Sequence, residues 1–192
     1  MSMFKDLIKL KPSNQTLFTV REIAQILNIN NKESLYSFLK NSSANNDLTR
    51  VTRGIYSLSN NFSKFELGNK LRQPSYISLY SILQKEGVTF QNYDTIFLIS
   101  NRAETINLEK QVYMYKKIKD NILFNPLGIK TENATAVATA ERAICDLIYL
   151  GFDYYLDNLR QIDFTIIKEL NSILYKSKKI EDFINQNKKL CN

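Results

Sequence analysis

From Phe18 to Leu58 the apolar positions first follow a helical period and then a strand period. Val20, Ile23, Ala24 and Leu27 recur at helical spacing and make one apolar stripe. Thr19 with Glu22 spells a capping box, and Phe18 and Ile23 occupy the two positions of a hydrophobic staple, so a helix is predicted to start at Val20. Asn28-Ile29-Asn30 interrupts the period with turn formers around one apolar anchor. Asn30 followed by Glu33 predicts a second helix reaching about Asn41, with Leu35, Phe38 and Leu39 as its core stripe. Its other side carries Glu33, Ser37 and Lys40, flanked by Tyr36 and Asn41. Leu48–Val51 and Ile55–Leu58 then read as two strands joined at Thr52-Arg53-Gly54, where Gly54 supplies the positive φ of the turn.

Helix, turn, helix and hairpin in this order predict a winged helix-turn-helix. Its turn is one residue longer than the usual spacing: counted from Ala24, the second core stripe falls on Leu35 and Phe38 instead of Ser34 and Ser37. A second helix with a thin apolar stripe and a small polar face suits a DNA major groove. Lys32, Lys40, Arg50 and Arg53 are the candidates for phosphate contacts, with Arg53 alternatively entering the minor groove. Glu33, Tyr36, Ser37 and Lys40 are the candidates for base edges. The alternative is a protein-interaction module in which the winged domain is only a scaffold that does not bind DNA.

The remaining pattern is less regular. Met3–Leu10 predicts a support helix, with Phe4, Leu7 and Ile8 on one face. Ser59-Asn60-Asn61 marks the expected domain boundary, giving a winged domain over 1–60 and a second domain over 61–192. Phe62, Phe65 and Leu71 suggest a helical lead into the latter. Pro74 opens a predicted helix capped by Ser75 and stopped at Gly87. Strands are predicted at Thr95–Ser100, Gln111–Lys117, Ile122–Phe124 and Ala134–Thr139, with the tyrosines of the second on an outer face. Glu141–Leu150 predicts a helix with Ala143, Ile144, Leu147 and Ile148 in the core. Further helices are expected near Tyr154–Arg160, Phe164–Tyr175 and Ile180–Lys189. The fold class is therefore α+β: a winged N-terminal domain, then a mixed α/β domain ending in helices.

Composition narrows the chemistry. The 192 residues are 44% hydrophobic, enough for a packed core, and carry a formal charge of +7. Residues 1–59 hold eight Lys/Arg against four Asp/Glu, and the other 133 hold 18 against 15, so the excess of +4 against +3 is densest around the helix-turn-helix. The absence of histidine excludes imidazole base catalysis and histidine metal ligation. The five glycines are too scattered for a phosphate-cradling loop, and no acidic residue has a lysine two positions on, as a restriction-type nuclease strand would require. Cys145 reads as core and Cys191 as tail, with neither disulfide nor metal spacing. No cofactor, metal or enzymatic activity is expected. Lys5 and Asp6 break the first apolar run, and no later run reaches bilayer length, so a soluble cytoplasmic protein without membrane contact is expected. Glu141 and Asp146 admit two readings: a polar partner site, or a helix-dipole acid beside a carboxylate paired with Arg142. Five residues apart, they project about 140° from each other around a helix and do not converge on a metal.

Three segments together resemble the AbiEi family of antitoxins, regulators of abortive-infection, type IV toxin–antitoxin systems. They are Arg53, Gly54 and Tyr56 after the helix-turn-helix, then Pro74 to Ser78, then Glu141, Ala143 and Asp146. In order and spacing they cover about residues 18–150. The resemblance implies a phage-defence role: a DNA-binding autorepressor of its own promoter, at inverted repeats, whose second domain neutralises a nucleotidyltransferase-like toxin. It marks Tyr76, Ser78, Glu141 and Asp146 as a partner or structural site. A monomer or weak dimer in solution, cooperative on double-stranded DNA, is expected.

Overall fold

The computed structural model describes residues 14–187; the predicted helix Met3–Leu10, Cys191 and the end of the last predicted helix lie outside them. The chain is α+β and divides into two compact units, one ending at Lys70 and the other beginning at Leu71.

In the first unit, strand β1 (Leu17–Thr19) runs straight into helix α1 (Val20–Leu27). The capping box forms at the expected residues: Glu22 N donates to Thr19 Oγ1 at 3.2 Å, and Thr19 N donates to Glu22 Oε2 at 2.7 Å. Asn28 ends α1 in the left-handed region (φ 55°), and Ile29 packs as the apolar anchor of the turn. Helix α2 (Lys32–Ala44) is capped by Asn31, whose side chain accepts from Ser34 N, one residue later than the expected Asn30. It continues three residues past Asn41, with Ser42 buried on the same side as Leu35 and Leu39. Strands β2 (Thr49–Thr52) and β3 (Ile55–Ser57) form a hairpin, with Gly54 at φ 80° and an irregularity between Arg50 and Thr52. β1 pairs with β3 to complete a three-stranded sheet in the order β1-β3-β2. That strand is not evident from its two apolar residues, of which Phe18 also fits the staple. Phe18, Ile23, Leu27, Leu35, Leu39, Leu48 and Tyr56 make the core; Phe38 only flanks it, half-buried.

The expected break at Ser59–Asn61 lies in coil, and helix α3 (Lys64–Leu71) folds back onto the first unit. Its fully buried Glu66 carboxylate accepts from Thr16 N at 2.8 Å, Thr16 Oγ1 at 2.5 Å and Leu17 N at 3.1 Å. One turn on, Lys70 lies 3.9 Å from Glu66 and donates to both oxygens of Glu22 at 2.6 and 2.9 Å. The free backbone donors at the outer edge of β1 are thereby satisfied by a side chain instead of another strand.

The second unit is built on a six-stranded sheet in the order β6-β7-β5-β4-β9-β8. In chain order its strands are β4 (Ser75–Ile77), β5 (Thr95–Ser100), β6 (Glu104–Leu108), β7 (Gln111–Lys117), β8 (Ile129–Glu132) and β9 (Thr135–Ala138). Pairs β5–β7 and β4–β9 are parallel and the others antiparallel. Helices α4 (Tyr80–Lys85), α5 (Asp120–Leu123), α6 (Ala140–Tyr149), α7 (Phe164–Leu170) and α8 (Lys178–Gln186) complete it, with a π-helical turn over Asn171–Tyr175. Helix α6 buries Ala143, Ile144, Cys145, Leu147 and Ile148, as its apolar period predicts.

Four expectations fail here. Ser75–Ile77 is a central strand, because Tyr76 and Ile77 pair with β5 and Ile77 with β9; the helix begins only after Leu79, a buried residue at φ 54°. Residues 120–123 form a helical turn opened by Asp120 instead of a strand at Ile122–Phe124. Tyr113 and Tyr115 are buried instead of on an outer face: the alternation of β7 is as expected, but the tyrosine face is the packed one and Val112 and Met114 are on the less buried side. Residues 154–160 are not helical; Asp157 and Asn158 give their N–H groups to the carbonyl of Val88. Among the described residues no helix is long and apolar enough to cross a membrane.

Glu66 should dominate the stability of the first unit. Glu66→Ala strands two strand N–H groups and a hydroxyl and should cost at least about 2 kcal/mol in urea unfolding. Glu66→Gln, which keeps one acceptor oxygen, should cost less. Equal stability of Glu66→Ala and the parent would show that the β1 edge is held by other contacts.

Candidate nucleic-acid interface

On α2 the core and solvent faces separate cleanly. Leu35, Leu39 and Ser42 are buried, whereas Lys32, Glu33, Tyr36, Ser37 and Lys40 are all exposed, Tyr36 to 53%. Residues 33, 36, 37, 40 and 44 follow the i, i+3, i+4, i+7 spacing, which at about 100° per residue gathers them on one stripe opposite the core. Glu33 and Lys40 lie along the middle of that stripe, Tyr36 and Ser37 on its two flanks, and Lys32 at the helix start. The five α2 residues expected to touch DNA therefore share one accessible face or its immediate border. Arg50 is exposed on β2, and Arg53 is exposed at the tip of the hairpin, next to Gly54. None of Lys32, Lys40, Arg50 and Arg53 has an ion-pair partner among the described residues.

The acids of the same unit are used differently. Between residues 14 and 70 there are seven basic residues and four acids: Glu22, Glu33, Asp47 and Glu66. Glu66 is buried against β1, and Glu22 is held by Lys70, Gln15 and the Thr19 cap. Only Glu33 and the half-buried Asp47 remain to offset the outward-facing cations. Glu66 is the one acid of the four that is fully buried, and Glu22 is half-buried and paired with Lys70, so the exposed cations of the unit face few free carboxylates. Burial by itself would raise the Glu22 carboxyl, but the Lys70 hydrogen bond and the two from Thr19 hold it below its ordinary value.

Tyr76, Ser78 and Asp146 meet in a buried polar centre of the second unit. Asp146 is fully buried and accepts from Ser78 Oγ at 2.7 Å, Tyr175 Oη at 2.6 Å and Tyr76 Oη at 3.0 and 3.2 Å. Arg142, equally buried, lies 3.8 Å from it through Nε and donates to Tyr76 Oη and to the carbonyls of Ile122 and Leu127. Full burial pushes the Asp146 carboxyl above its ordinary value; Arg142 and the three hydroxyls pull it the other way without cancelling that effect. One carboxylate so ties α6 to β4 and to the π-helical turn. Having no solvent access, it is a structural knot. Glu141 is not part of it: it is half-buried and accepts weakly from Asp163 N at 3.4 Å.

Tyr175 is the member of this centre that no sequence signal marked. The π-helical turn over 171–175 shifts the phase of the helix, so a 3.6-residue period misplaces every side chain after Leu170. Lys70 was equally silent, since its partner Glu22 lies 48 positions away. Among the described residues, no group of three or more His, Cys, Asp or Glu side chains is placed to hold a metal ion. No protein-family model matches the chain, and no curated protein matches it in sequence.

The depressed Glu22 pKa fixes a sign. A carboxylate held lower in the folded state stabilises fully above its unfolded value and loses that contribution as pH falls through the folded value. Thermal unfolding between pH 6 and pH 3 should therefore show Glu22→Gln losing less stability on acidification than the parent. Parallel curves for the two would remove Glu22 from the acid response.

Proposed function

We propose that the first unit is a winged helix-turn-helix that binds double-stranded DNA, and that the chain is a transcriptional autorepressor of the AbiEi antitoxin kind. In this reading α2 is the recognition helix and the β2–β3 hairpin is the wing. The reading rests on one observation above all: Lys32, Glu33, Tyr36, Ser37, Lys40, Arg50 and Arg53 are exposed, while Glu66 is buried and Glu22 is paired with Lys70. A polyanion meets unpaired ammonium and guanidinium groups with little opposing charge. Lys32, Arg50 and Arg53 position the unit on phosphates, and Glu33, Tyr36, Ser37 and Lys40 face the base edges. The order of elements and the third strand supplied by β1 fit this docking. The antitoxin role, a cytoplasmic location and a nucleotidyltransferase-like toxin as the regulated partner rest on the resemblance of Arg53-Gly54, Pro74–Ser78 and the Glu141–Asp146 helix alone.

Binding to the region upstream of its own coding sequence should weaken steeply with salt, log K falling by about 0.9 per phosphate contacted. Arg50→Ala with Arg53→Ala should weaken binding to every sequence and flatten that slope by about 1–2. Ser37→Leu should instead lower specific affinity more than non-specific affinity, because it alters the outer face and touches no core residue. An unchanged salt slope would take the hairpin out of the interface, and intact promoter discrimination in Ser37→Leu would take α2 out of base reading.

A further inference from the structure

Two loops of the second unit carry an unusual composition. Residues 89–94 and 151–159 contain five aromatics (Phe90, Tyr93, Phe152, Tyr154 and Tyr155) and three carboxylates (Asp94, Asp153 and Asp157), with no lysine or arginine before Arg160. In a chain of net charge +7 these two loops carry three carboxylates and no cation of their own, although Lys116 of β7 lies against Phe152. Phe90 and Tyr155 are 72% and 69% exposed, among the most exposed large apolar side chains of the described residues. Asp94 and Asp153 are exposed with them.

The loops are fastened to each other. The Val88 carbonyl accepts from Asp157 N at 2.9 Å and Asn158 N at 3.1 Å, and the Asp157 carboxylate accepts from Phe90 N at 2.8 Å. Beneath them Tyr93 stacks on Tyr80 with ring centres 4.4 Å apart, and the Tyr80 hydroxyl donates to the Asp153 carbonyl. The Phe90 ring thus stands out to water from a backbone whose N–H is tied to Asp157, the arrangement of an aromatic anchor at an interface. The chain itself shows what such rings bind: Lys116 places its ammonium 5.1 Å from the Phe152 ring centre.

We infer that this acidic, aromatic surface is a docking site for an arginine-rich segment of another protein. A guanidinium can stack on Phe90 or Tyr155 while forking to Asp94 or Asp153, a combination that neither a lone ammonium nor an apolar group provides. Nucleic acid and anionic membrane are disfavoured by the same three carboxylates. The site lies wholly in the second unit, and the residues proposed to bind DNA lie wholly in the first.

The test uses the full chain and a fluorescein-labelled decapeptide alternating arginine with leucine, read by anisotropy. A peptide alternating glutamate with leucine is the control. The chain should bind the basic peptide and not the acidic one. Phe90→Ala with Tyr155→Ala should weaken binding at least tenfold, and Asp94→Asn with Asp153→Asn at least threefold. Arg50→Ala with Arg53→Ala should leave it unchanged. All four substituted patch side chains are exposed, and melting curves matching the parent confirm that each variant is folded. Equal peptide affinity in both patch variants, or equal binding of the acidic peptide, overturns the inference. So does concentration-dependent self-association of the parent that the Phe90/Tyr155 variant abolishes, since the occupant would then be a second copy.

Discussion

A buried carboxylate at Glu66 governs how the first unit is put together. Strand β1 has one neighbour, β3, and its outer edge would otherwise present unpaired N–H groups. Glu66 takes Thr16 N, Leu17 N and the Thr16 hydroxyl, so α3 closes the edge without adding a strand. A full negative charge in that position needs compensation, and Lys70 sits one helical turn away, bridging to Glu22. The same contacts lock the start of α1, because Glu22 also completes the Thr19 cap. One network thus fixes a strand edge, a helix start and the docking of a third helix.

That packing arrangement has an electrostatic consequence at the surface. With Glu66 buried and Glu22 paired with Lys70, the exposed cations Arg21, Lys32, Lys40, Arg50, Arg53 and Lys64 face Glu33 and the half-buried Asp47. The second unit solves a related problem with Asp146, which three hydroxyls and Arg142 hold between α6, β4 and the π-helical turn. Both units bury a carboxylate to join elements distant in sequence. In the first, exposed cations outnumber the exposed carboxylates. In the second, the exposed carboxylates gather instead beside Phe90 and Tyr155.

Local signals were legible in the sequence and distant ones were not. The Thr19–Glu22 cap, the Gly54 turn, β5 and the apolar face of α6 follow from neighbouring residues, and each is where its pattern put it. The exposure of all seven candidate DNA-contact residues also followed from helical phase and turn position. Strand β6 does alternate, through Ile106 and Leu108, and was legible without being predicted; β1 and β4, three residues each, and β8, with one half-buried residue in four, carry little pattern of their own. Tyr76 and Ile77 illustrate this: both are strand-favouring residues, but the Pro-Ser opening suggests a helix start, and only pairing with β5 and β9 shows the strand. Asn31 displaced Asn30 as a cap because two adjacent asparagines offer the same chemistry, and the length of the turn chooses between them.

The central claim is that the exposed face of α2 and the tip of the hairpin meet duplex DNA. The most direct measurement is an NMR titration of the isotopically labelled full chain with a duplex covering its upstream region. Amide shifts at 32–41 and 49–54, with residues 71–187 little changed, are the predicted result. Shifts confined to the second unit, or none at DNA concentrations that saturate a winged helix-turn-helix, would contradict it.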